Sequence, residues 1–142
     1  MNGKLIRAVF WGLVAAFIVV IGLFSIPTAR ELLMGSIFLV TSGAVLLSLG
    51  GVLIYLTLKE QMAGMLKKFL ILTGVSAVGI PISVVLHNAI YGLLIYWFGA
   101  DFWERIGLGD EPFFFVLAII VCPIGFLAGT VGSIVQFVRS AR

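Results

Sequence analysis

The sequence predicts an all-α integral membrane protein, a single domain of four transmembrane helices in an antiparallel bundle. Two observations carry that prediction. Of the 142 residues, 62% are hydrophobic and only 11% are charged, against roughly half and a quarter in ordinary soluble domains. The charges are also segregated, with no Asp, Glu, Lys or Arg from Ala8 to Ala29, Leu32 to Leu58, Phe69 to Ala100 or Pro112 to Val138. About 20 apolar residues in a helix cross the ~30 Å hydrocarbon core, so each run is long enough for one crossing. The spans fall at about 5–26, 31–58, 68–98 and 112–138. A soluble fold is excluded because too little polar surface remains to cover it, and a β-barrel because barrels show alternating segments of ~10 residues rather than solid apolar runs.

The charges between the spans predict the orientation. Lys4, Arg7, Lys59, Lys67, Lys68, Arg139 and Arg142 lie on one side with Glu60, while Arg30 and Arg105 lie on the other with Glu31, Asp101, Glu104, Asp110 and Glu111. The positive-inside rule places the basic side, and with it both termini, in the cytoplasm, and the expected location is the plasma membrane. The net charge of +3 is topogenic, so no nucleic-acid partner is expected. A lone cysteine, Cys122, excludes an intrachain disulfide and a paired-thiol redox site.

Span one is rich in Leu, Val, Ile and Phe, with Phe10 and Trp11 placed for an interfacial anchor. Its apolar run exceeds an ordinary signal core and no A-x-A site follows, so it is expected to remain as a span. Pro27 disfavours helix at the preceding residue and ends it. Thr28-x-x-Glu31 reads as a capping box opening span two. In span two Ser36, Gly43 and Gly50 recur every seven residues, with Gly35, Ser42 and Gly51 beside them. Small residues at that spacing let helix backbones approach closely, which matters where lipid gives helices no hydrophobic reason to associate. A short basic connection follows, with Gly64 as the expected break.

Span three holds the only histidine, His87, next to Asn88, and carries Pro81, which cannot donate to the carbonyl of Ala77 and is expected to kink the helix. Ser76, Gly79, Ser83, His87 and Tyr91 follow steps of three or four and share one face. Tyr96, Trp97 and Phe98 form an aromatic belt. In the loop 99–111, Asp101 with Glu104 repeats the cap pattern and predicts a short interfacial helix with Phe102 and Trp103 turned toward lipid. Asp110 is expected to cap span four, with Glu111 and Pro112 in its first turn. Span four has a second expected kink at Pro123 and a close-packing motif at Gly125 and Gly129, extended by Gly132 and Ser133.

Counting the helical rise from each outer boundary puts Ser42, His87 and Cys122 all ~15–16 Å deep. The candidate site is therefore a polar midplane cluster of His87, Asn88, Ser83, Tyr91, Ser42 and Cys122, since polar groups at that depth are costly unless used. No catalytic constellation accompanies it. Zinc would lack ligands, because Cys122 and His87 supply two where four are usual. The expected function is a non-enzymatic membrane subunit or scaffold, acting through helix contacts with itself or within a larger membrane complex, with membrane lipids as its other partners. A homo-oligomeric channel or carrier lined by the span-three stripe is the first alternative. A haem- or quinone-binding subunit using His87 is the second, although the sequence requires no cofactor.

Overall fold

The computed structural model describes residues 2–28 and 36–140. Among them every regular element is helical: α1 (Asn2–Ser25), α2 (Ser36–Lys59), α3 (Gly64–Phe98), the single turn α4 (Phe102–Arg105) and α5 (Pro112–Ser140). All but α4 are long and apolar enough to cross a membrane, and the chain is a membrane protein.

The helices stop where the sequence removes their support. α1 ends at Ser25, two residues ahead of Pro27, with the Ser25 hydroxyl donating to the Ile21 carbonyl at 2.8 Å. The expected capping box runs from Thr28 to Glu31, and Glu31 lies outside the described residues, as do Gly35 and the Ser36 side chain. After α2 the chain reverses through Gln61 (φ 49°) and Gly64 (φ 74°), and the second of these left-handed positions falls at the glycine expected to break the helix. α3 stays helical through Pro81. In α5 the irregularity expected at Pro123 takes the form of a π turn at Leu117–Val121, directly ahead of Cys122 and Pro123. Proline cannot bond the carbonyl four residues back, and the wider turn accommodates the mismatch.

α3 is the centre of the bundle. On one side it meets α2, where the backbone oxygen of Gly74 would lie 2.9 Å from a Cβ at Gly50, and Pro81 touches the Gly43 position. On the other side it meets α5, with Gly125 against Ser76, Gly129 against Thr73 and Phe69, and Gly132 against the Phe69 ring. In both interfaces the residue numbers rise on one helix as they fall on the other, so neighbouring spans are antiparallel. α1 closes the bundle by stacking Phe17 on Phe126 (4.0 Å between centroids) and setting Phe10 edge-on to Phe137.

The core comprises Ile6, Phe10, Leu13, Val14 and Phe17 of α1 with Leu46, Leu53, Leu70, Ala77 and Phe126. Phe10 is therefore not the interfacial anchor expected of it; only Trp11, half exposed, keeps that position. Ile18, Ile37, Val40, Val85 and Ile119 point outward, as lipid-facing residues should.

The spans do not end together at the acidic end. Glu111, at the start of α5, lies beside His87. Gly43 lies beside Pro81, so the first described residue of α2 stands at the level of about residue 88, and Phe24 near the end of α1 meets Phe38. Among the described residues α3 alone continues to Phe98, ~16 Å past the start of α5 at 1.5 Å per residue. Tyr96 (84% exposed), Trp97 (63%) and Phe98 lie on this projection.

Candidate functional site

The loop after α3 folds back along the projection. Gly99 (φ 97°) turns the chain, and the Arg105 guanidinium donates to the Phe98 carbonyl. Trp103 then stacks on Tyr91 (5.7 Å, 6°) and its Nε1 donates to the Tyr91 carbonyl at 3.4 Å. Trp103 is buried, contrary to the expectation that it faces lipid; packing against α3 outweighs the amphipathic pattern of so short a helix. Asp101 makes no side-chain cap and instead pairs with Arg105 at 3.4 Å.

The returning chain brings two carboxylates to His87. Glu111, rather than Asp110, caps α5: its carboxylate accepts from the Phe113 N–H at 2.8 Å and the Phe114 N–H at 3.0 Å, with Pro112 at the first helical position. Asp110 accepts from the Glu111 N–H at 2.7 Å. Glu111 is the only buried acid among the described residues, and the exposed N–H groups and positive dipole end of α5 compensate its charge there.

His87 Nδ1 lies 3.1 Å from the Glu111 carbonyl oxygen and 3.3 Å from its Oε2. Both oxygens are acceptors, so Nδ1 carries the hydrogen and donates. Nε2 faces Asp110 Oδ2 at 3.6 Å, an ion pair when the ring is doubly protonated. Tyr91 and Phe115 flank the imidazole. The arrangement is a latch that fixes the start of α5 to the side of α3.

The expected midplane cluster is thus dispersed. His87 and Tyr91 belong to the latch at the acidic end. Asn88 is exposed and donates to the Val84 carbonyl of its own helix. Ser42 likewise bonds the Leu39 carbonyl. Ser83 is buried on α3. Cys122 packs against Gly79, two turns below His87, with Sγ 2.7 Å from where a Gly79 Cβ would stand. The depth estimate failed because it treated Phe98 and Pro112 as one level, whereas the loop returns ~16 Å along α3 before α5 begins.

Among the described residues no three of His, Cys, Asp and Glu are placed to hold a metal ion. A haem iron or quinone oxygen approaching His87 would have to displace Glu111 or Asp110, because each ring nitrogen already faces one of them.

A second polar feature lies inside the bundle. Thr130 (8% exposed) and Ser133 (0%) of α5 are buried, and neither hydroxyl has a hydrogen-bond partner. An unpaired buried hydroxyl costs about 1–3 kcal/mol. The signal was present in the sequence, since Phe126, Thr130, Ser133 and Phe137 recur at steps of four, three and four and share a face.

No family model, curated protein or solved structure matches the chain. Its function has to be argued from its own geometry.

Proposed function

We propose that this protein is a non-enzymatic membrane subunit or scaffold that presents the end of α3 to a partner. The observation that supports this most is the end of α3: an apolar helix end, exposed at Tyr96 and Trp97, standing past the start of α5 and the described parts of α1 and α2, and braced by the α4 turn. Large exposed aromatic surface outside the bundle is what membrane-protein contacts use.

The glycine faces favour the same division of labour. Gly43, Gly50, Gly125, Gly129 and Gly132 are all spent against α3, so contacts with other molecules fall to other surfaces. The charge asymmetry supports an orientation with both termini in the cytoplasm of a plasma membrane and the projection on the opposite side. The channel reading is weaker, because the Phe17–Phe126 stack fills the middle of the bundle.

The test is site-specific photocrosslinking in native membranes with a benzophenone amino acid at Tyr96, Trp97 or the mid-bundle lipid-facing Ile18. Protein adducts at 96 and 97 with lipid adducts alone at 18 are the expected result. Lipid adducts alone at all three positions would remove the proposal.

A further inference from the structure

The unpaired hydroxyls of Thr130 and Ser133 are buried on a face of α5 bounded by two aromatic contacts with α1. One turn toward the acidic end, Phe126 of the same face stacks on Phe17 of α1 at 4.0 Å. One turn toward the basic end, Phe137 meets Phe10 edge-on at 5.4 Å, and the Arg7 guanidinium lies over the Phe137 ring at 5.1 Å. Between Phe10 and Phe17 along α1 lie Leu13 and Val14, both buried and without a side-chain donor or acceptor. Neither residue can serve as a side-chain partner for the two hydroxyls.

Elsewhere in the protein the usual remedy is taken: Thr57, Thr73 and Ser140 each donate to the carbonyl four residues back, at 2.7, 2.9 and 2.9 Å. Ser140 does so on α5 itself. Thr130 and Ser133 do not, although the carbonyls of Phe126 and Gly129 stand in the same relation to them.

From this geometry we propose that Thr130 and Ser133 bind a water molecule sealed between the two phenylalanine pairs. Side chains three apart on a helix have Cβ atoms ~5–6 Å apart, a gap that one water with two hydrogen bonds of about 2.8 Å can bridge. Buried waters characteristically serve polar groups that the protein leaves unpaired, whereas purely apolar cavities stay dry. The hydroxyls can each donate and accept, so the site suits a neutral molecule; no charged side chain lines it to hold an ion. The Phe10–Phe137 contact and Arg7 close the shorter route to bulk water.

The experiment is proton-detected solid-state NMR of the full-length protein in liposomes, following magnetisation transfer from water to the backbone protons of residues 130 and 133. Transfer to both is expected, none to the equally buried Ala77, and loss of the signal in the Thr130→Val/Ser133→Ala double variant. Phe137→Ala should speed the exchange of the bound water. A second measurement reads the sign of stability. A water-satisfied Ser133 makes Ser133→Ala shift the folding equilibrium about fivefold toward the unfolded state, whereas a dry unpaired hydroxyl makes the same change stabilising. Absence of transfer, transfer that survives the double variant, or stabilisation by Ser133→Ala would each overturn the assignment.

Discussion

A Cβ added at Gly129 would stand 2.7 Å from the Thr73 backbone nitrogen and 3.0 Å from the Phe69 carbonyl oxygen. Backbone cannot swing aside as a side chain can, so Gly129→Ala is expected to lose about 1–3 kcal/mol of stability through overpacking. Gly51→Ala meets open space and is expected to be neutral or slightly stabilising, since alanine restricts the helix less unfavourably. Reversible unfolding in mixed micelles, comparing the two variants, checks both. At the latch, Glu111→Ala removes the cap of α5 together with the side-chain acceptor for His87, leaving the backbone carbonyl in place, and should cost about 1–2 kcal/mol. His87→Ala in that background should add less than it does alone. A double-mutant cycle with no coupling would mean that the contact between the His87 and Glu111 side chains contributes nothing to stability.

At the scale of elements, the π turn and the returning loop together set how α5 lies against α3. The pairing is specific enough to test with one bond. A Gly79 Cβ would sit 3.9 Å from the Cys122 Cβ, inside the 3.5–4.5 Å range of disulfides. Gly79→Cys is therefore expected to crosslink to Cys122 under mild oxidation, seen by intact-mass analysis as the loss of two thiol hydrogens. Val75→Cys, exposed on the same helix, should not crosslink within the chain. Failure at position 79 in folded protein would mean that the α3–α5 register differs from the one described.

For the whole molecule, the central position of α3 separates folding from association. Gly43→Leu and Gly129→Leu press on α3 and are expected to lower the yield of folded protein while leaving the assembled size of what does fold unchanged. Trp97→Ala with Tyr96→Ala should do the opposite, weakening co-purification with partners at unchanged stability, because both side chains are exposed. Light scattering in detergent and quantitative co-purification from native membranes distinguish the two. A smaller assembly in the glycine variants would return association to the small-residue faces.

Much of this architecture is legible in the residues themselves. Four charge-free runs must become four helices, because a backbone in lipid can satisfy its polar groups only within itself. Pro27 and Gly64 mark ends by their backbone restrictions, and glycines seven apart announce close packing. Which helix those glycines meet, that Phe10 enters the core while Trp11 stays out, and that Trp103 turns inward depend on neighbours far away in sequence. His87 shows the difference most clearly. Its rarity made it a candidate at once, but its partners were decided by a loop that doubles back along α3, and its depth by where α5 begins. Local periodicity determines elements and their faces, whereas the pairing of faces and the relative height of helices are set by packing between them, which only the folded bundle specifies.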